Sequence, residues 1–142
     1  MPVVSVEVRS PLPPDEVLRV ITDFGDLRAE AWPGVDLSRL VVHESGAGHA
    51  DVTEGNDTTW ERVRYDWDAG TGTITAVTTD SNVWADGSRW DYRLTPVPEG
   101  TLVGVRLERH GKNLKGRLIG ALLPVVGAKV VTDSLRSDLR IT

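Results

Sequence analysis

KNLKGRLIGALLPVVGAKVVTDSLRSDL, residues Lys112–Leu139, is the stretch that decides the fold. Leu114, Leu118, Leu122 with Ala121, Val125, Ala128, Thr132, Leu135 and Leu139 recur at helical spacing and form one apolar face. Nothing adjacent in sequence covers that face. A helix of this length buries it across a sheet made by the strands before it, and a helix laid over a sheet leaves a space between the two, so a cavity is the first functional expectation. Pro124 removes a backbone donor and predicts a kink near Gly120 to Leu123, softened by Gly116, Gly120 and Gly127. The kink either follows the curve of the sheet or gates a pocket.

Upstream of that helix the texture is β. Alternating segments run near Arg39 to Glu44, His49 to Glu54, Thr59 to Asp68, Thr71 to Thr79, Ser88 to Thr95 and Thr101 to Arg109. Their separators carry turn chemistry: Ser45-Gly46-Ala47-Gly48, Gly55-Asn56-Asp57, Ala69-Gly70, Asp86-Gly87 and Pro96-Val97-Pro98-Glu99-Gly100. Connections this short predict an antiparallel meander. Before it, Val4, Val6 and Val8 alternate in a half-buried strand from Val3 to Arg9, which Ser10-Pro11-Leu12-Pro13-Pro14 stops. Asp15 and Glu16 in a first turn, then Val17, Val20, Ile21 and Phe24, predict a short helix ended by Gly25. A second small helix is expected over Asp26 to Ala31, before Trp32-Pro33-Gly34-Val35 forces the chain out of helical geometry.

The bulk numbers agree with one globular domain, residues 1–142. Hydrophobic residues make up 39% and charged residues 26% of the 142, which suits a packed core rather than a disordered chain. No apolar run nears the roughly 20 residues that cross a bilayer. The first residues lack the basic and apolar regions of a secretion signal, so a cytoplasmic protein is expected. Zero cysteines exclude disulfides, thiolate nucleophiles and cysteine-bound metals. A net charge of −5 argues against a nucleic-acid surface. The exception is Arg109, His110, Lys112, Lys115 and Arg117, clustered where the long helix begins, where they are either solvated surface or a lure for an anionic ligand group, an acidic carrier protein or a membrane surface.

Several short stretches spread along the whole chain carry a family likeness: Pro14-Asp15-Glu16-Val17, Thr22-Asp23-Phe24, Trp32-Pro33-Gly34-Val35, Trp90-Asp91-Tyr92-Arg93-Leu94-Thr95-Pro96 with Gly100-Thr101, and Lys115-Gly116-Arg117-Leu118-Ile119-Gly120-Ala121-Leu122-Leu123-Pro124. In these the chain resembles the superfamily of START lipid-transfer domains, Bet v 1-type allergens and polyketide cyclases (SRPBCC), and within it the bacterial polyketide cyclase/dehydratase-like branch. The resemblance implies an α+β helix-grip fold: a curved antiparallel sheet of about seven strands, in the order β-α-α-β6-α, wrapped around the long C-terminal helix. It also implies a pocket for an apolar or aromatic molecule without naming the molecule.

Strand alternation predicts what lines that pocket. Glu61, Val63, Tyr65 and Trp67 share one face, opposite Trp60, Arg62, Arg64 and Asp66, and the first set is expected inside. Trp90, Tyr92 and Leu94 extend the wall, as do Val103, Val105 and Leu107. Five Trp and two Tyr stand against a single Phe, so nearly every ring carries a polar handle. Ligand contacts are expected from Trp32, Val63, Tyr65, Trp67, Trp90, Tyr92, Val105, Leu118, Leu122 and Val125. Catalytic candidates are Glu61, Tyr65 and Tyr92, with Arg62 and Arg64 as guides for a carbonyl or carboxylate should a bulge turn Glu61 outward and bring the arginines in. His43, His49 and His110 lack metal-ligand spacing, and no metal or cofactor is expected.

Three functions follow as expectations: a module binding a hydrophobic or aromatic small molecule, a cofactor-free cyclase, aromatase or dehydratase using the same cavity, and an interaction or membrane-surface module working through the basic start of the helix. Monomer and homodimer stay open, with Val3 to Arg9 or His49 to Glu54 as the edge strand for a dimer.

Overall fold

Seven strands account for just over half of the described residues. The structure, a computed structural model, describes residues 3–25 and 36–118. Strand β1 is Val3–Ser10, helix α1 is Pro14–Ile21, a 3-10 turn spans Leu37–Arg39, and the remaining strands are β2 Val41–Gly46, β3 His49–Gly55, β4 Trp60–Asp68, β5 Thr73–Ser81, β6 Arg89–Val97 and β7 Gly100–Glu108. They form one curved sheet in the order β1-β7-β6-β5-β4-β3-β2, antiparallel throughout. The expected meander is present, and β1 closes onto the far side of β7, with Val3 opposite Glu108 and Ser10 opposite Thr101.

The edges are β1 and β2. His49–Gly55 is therefore an interior strand, a correction to its expected place at an edge. The six residues of β2 are all exposed. A register shift between Val42 and Glu44 breaks the regular ladder of this outer strand, a distortion that discourages pairing with another chain.

Alternation sorts the residues as their hydrophobicity demands. Ala50, Val52, Val63, Ile74, Val103 and Val105 lie on one face and are at most 3% exposed. The opposite face carries ion pairs such as Arg62 with Asp51, Arg89 with Asp91 and Arg106 with Glu108. Helix α1 lies on the first, inner face, against β6 and β7, and fully buries Val17 and Ile21. Each of those side chains contributes about 1.5–3 kcal/mol of transfer free energy. Pro14 starts the helix and Asp15 and Glu16 occupy its first turn. It stops at Ile21, earlier than the expected Gly25: Thr22 leaves helical geometry at φ −104° and ψ 13°, with its hydroxyl and backbone N–H both donating to the Leu18 carbonyl. Phe24, freed from the helix, sets its ring edge-on to Tyr65 at 4.9 Å.

Residues 114–118 are helical. Asn113 caps them by accepting from the Gly116 N–H at 2.9 Å, so the helix begins two residues after Lys112. Gly116 is buried against the 82–84 loop, and a Cβ there would run into the Val83 carbonyl oxygen. The second short helix at Asp26 to Ala31, and the long helix with its Pro124 kink beyond Leu118, lie outside the described residues. Among the described residues no helix is long and apolar enough to cross a membrane.

Candidate functional site

The inner face is not apolar along its whole length. Ala50 and Val52 are followed on β3 by Glu54; Ile74 and Ala76 on β5 by Thr78; and Val103, Val105 and Leu107 on β7 by Arg109, one residue past the strand. Each alternation turns polar at the same end of the sheet, where β4 contributes Glu61 and β6 contributes Trp90. The other end belongs to α1: the Thr101 hydroxyl donates to the Leu12 carbonyl just before the helix. Thr101 on β7 and Arg109 just beyond its end are eight residues apart along extended chain, which places the two ends roughly 26 Å from each other.

At the polar end, Arg109 meets Glu61 through both terminal nitrogens. Nη1 donates to Oε2 at 2.7 Å and Nη2 to Oε1 at 3.2 Å, and the Thr78 hydroxyl donates to Oε2 at 2.9 Å. The Arg109 and Glu61 side chains are 10% and 15% exposed. The guanidinium carbon lies 5.0 Å from the centre of the Trp84 ring and 5.7 Å from that of Trp90, within cation–π range of both. Trp90 stacks on Tyr92, with centroids 6.0 Å apart and planes 11° from parallel. Removing one partner of such a pair strands a buried charge, a loss of about 3–5 kcal/mol.

Trp84 is held there by the loop that joins β5 to β6. The Ser81 hydroxyl accepts from the Val83 and Trp84 N–H groups, both at 3.1 Å, and donates to the Trp60 carbonyl at 2.7 Å. Trp84 also bridges to Gly111, the Ala85 N–H donates to the His110 carbonyl, and the Lys112 N–H donates to the Val83 carbonyl. The loop thus continues the sheet beside the chain leaving β7, and one ring is carried onto Arg109.

A second polar pair sits beside the first. The Tyr65 hydroxyl donates to Glu54 Oε1 at 2.7 Å, both residues being buried. Glu54 and Glu61 face each other directly across β3 and β4. Two carboxylates so placed repel, and Arg109 on one and Tyr65 on the other offset that repulsion.

Glu61, Tyr65 and Tyr92, all expected on the inner face, are there. Arg62 and Arg64 are not, a correction to their candidacy as inward-pointing guides. Arg62 holds Asp51 through Nε at 2.9 Å and Nη2 at 2.8 Å, and Arg64 pairs with Asp66 at 3.2 Å, all on the outer face. The physical reason is where the bulge falls. Arg62 pairs with Asp80 and Val63 with Thr78, so the unmatched residue is Thr79 on β5, and the alternation of β4 is intact at Glu61. The bidentate bond from Arg62 holds the Asp51 carboxyl below its ordinary pKa, against a smaller opposing effect of burial.

Val63 and Val105 are in the core, and Trp67 and Trp90 are partly buried against it. Leu118 is 62% exposed and does not join that wall. Trp32, Leu122 and Val125 lie outside the described residues. Sequence reasoning passed over Glu54, Thr78 and Trp84, and placed Arg109 in the basic cluster. The signal for Arg109 was present: it is two residues beyond Leu107, on the same side of the strand. Three further members of that cluster are also engaged. His110 Nε2 is 2.8 Å from Glu108, Lys112 donates to the Ser81 carbonyl and Lys115 to the Thr58 carbonyl. His43 and His49 bond to Thr53 and Glu44 on the outer side.

A family model described as polyketide cyclase / dehydrase and lipid transport matches residues 1–140. Among solved structures, the chain is similar to the ZhuI aromatase/cyclase from Streptomyces sp. R1128, with a TM-score of 0.79 and 16% identity over 97% of this chain and 91% of that one. It is similar to a START superfamily protein from Mycobacterium smegmatis, with a TM-score of 0.71 and 13% identity over 97% of each chain. It also matches the di-domain ARO/CYC StfQ of the steffimycin biosynthetic pathway, with a TM-score of 0.74 and 16% identity over 98% of this chain and 50% of that one. At these identities the likeness is one of fold. No curated protein sequence matches the chain.

Proposed function

The chain belongs to the polyketide cyclase/dehydrase and lipid transport family, and from that premise we propose that it binds a hydrophobic or aromatic small molecule, polyketide- or lipid-like, in a cavity between the inner face of the sheet and the C-terminal helix. The observation that carries this reading is the buried Arg109–Glu61 pair lying against Trp84 and Trp90 at one end of an otherwise apolar wall. Apolar surface supplies affinity, and a few fixed polar groups at one end orient what binds. Trp67 and Trp90, partly buried at the margin of the core, offer rings for stacking. Native mass spectrometry of freshly purified protein tests the reading. The expected result is a bound organic molecule that leaves on denaturation. A spectrum of bare chain, together with unchanged tryptophan fluorescence on addition of a polycyclic aromatic probe, would count against it.

A second reading, a cyclase or dehydratase acting without a cofactor, is favoured by one observation: the Tyr65 phenol and the Glu54 carboxylate are 2.7 Å apart and buried on the same face. A phenol held by a carboxylate can pass a proton to or from a bound carbonyl compound. Glu61 suits that task less, because both of its oxygens are already engaged. Tyr65→Phe separates the readings: under the enzymatic one it retains the co-purified molecule and loses turnover of a polyketide-type substrate.

A further inference from the structure

We infer that the polar end of the inner face selects neutral ligands and turns away those bearing a carboxylate, sulfonate or phosphate, with Glu61 as the residue that sets the selectivity; the inference rests on reading that face as a binding surface. A guanidinium beside aromatic rings on an apolar wall is the group best suited to capture an anion. Here its anion is built in. Both oxygens of Glu61 accept from Arg109, and the Thr78 hydroxyl fastens the same carboxylate from a third direction.

With side chains 10% and 15% exposed, the pair has shed most of its water. An incoming anion therefore displaces no loosely held solvent. It either expels Glu61 or approaches a cation whose charge is already balanced. Expulsion is opposed by the three hydrogen bonds that the Glu61 carboxylate would give up, and Glu54, directly opposite on β3, repels a replacing anion as it does Glu61. An anion that approaches Arg109 with Glu61 still in place adds a third negative charge beside Glu54 and Glu61, and in a desolvated setting the repulsion is weakly screened. A neutral carbonyl, ester or phenol meets no such penalty. It stacks against Trp90 and takes a hydrogen bond from an N–H of Arg109 that Glu61 leaves unused, since a guanidinium has five. Glu61 thus excludes anions while its partner still recognises oxygen.

Matched probes test this: 2-naphthoate and methyl 2-naphthoate, nearly equal in shape and different in charge, titrated calorimetrically into the full chain at neutral pH. The ester is expected to bind at least tenfold more tightly. In Glu61→Gln, which leaves the charge on Arg109 unbalanced, the ratio shifts toward the naphthoate by tenfold or more. Should that variant fail to fold, Glu61→Gln combined with Arg109→Gln removes both charges and brings the ratio nearer to one. Naphthoate binding as tightly as the ester to the unaltered chain overturns the selectivity while leaving the binding surface intact. A ratio unmoved in either variant overturns the role of Glu61. Absence of binding by both probes overturns the binding surface, and this inference with it.

Discussion

Replacing Arg109 by methionine removes the charged guanidinium that lies over Trp84 and Trp90 while keeping an unbranched apolar side chain in its place. What remains is Glu61, 15% exposed, with the Thr78 hydroxyl still donating to it and Glu54 opposite. The lost cation–π contacts amount to about 1–2 kcal/mol at a desolvated site. Breaking a buried ion pair from one side costs about 3–5 kcal/mol, which already contains much of that loss. The expected destabilisation is therefore about 4 kcal/mol. In a chain of 142 residues, at roughly 2–4 °C per kcal/mol, that lowers Tm by about 8–16 °C. Urea unfolding followed by circular dichroism measures the free energy, and a thermal scan the midpoint. The control is Arg109→Met combined with Glu61→Leu, which removes both charges and is expected to recover at least half of the loss. A single variant destabilised by less than ~1 kcal/mol, the range of exposed pairs, would refute the reasoning, because the pair would then be solvated. A double variant no better than the single would refute it differently, by showing that shape rather than charge was lost.

Gly116→Ala is expected to cost about 1–3 kcal/mol in urea unfolding, since a Cβ there meets the backbone carbonyl of Val83, which cannot step aside. Thr101→Val removes the donor to the Leu12 carbonyl and is expected to cost about 1–3 kcal/mol at this fully buried position. The Asp51 carboxyl is more acidic in the folded chain than an ordinary aspartate, so the unfolded state binds protons first as pH falls. The stability it adds is present above about pH 4 and is lost as pH falls further through the lowered folded value. Arg62→Gln should flatten that acid limb of a stability–pH profile while leaving the neutral region little changed, and an identical limb would show that Arg62 does not hold Asp51.

Much of this fold is legible in the order of the residues. Short turn-bearing loops between alternating segments leave a meander as the economical topology, and Val63, Tyr65 and Trp67 face inward as their alternation requires. The edges are harder to place. His49–Gly55 reads like any short strand, and that β2 lies outside it depends on which strands pair across the sheet. Spacing overestimates the end of α1 because Phe24 keeps helical periodicity, while the departure of Thr22 from helical dihedrals is a local choice that periodicity does not reveal.

The candidate site divides along the same line. Alternation alone assigns Glu54, Glu61, Thr78 and Arg109 to the inner side of their strands, because a side-chain period of two is a property of the extended backbone. That the four meet at one end is decided by the register of β3, β4, β5, β6 and β7. Register is set by pairing across the sheet, and a slip of one residue would turn a whole strand over. A slip does occur, and the tertiary structure puts it at Thr79 rather than on β4, which keeps Glu61 inside and Arg62 outside. Trp84 reaches Arg109 only because the loop after β5 continues the sheet beside Gly111. By itself the sequence determined which residues can face inward; which of them touch was decided by the register of the hydrogen bonds between neighbouring strands.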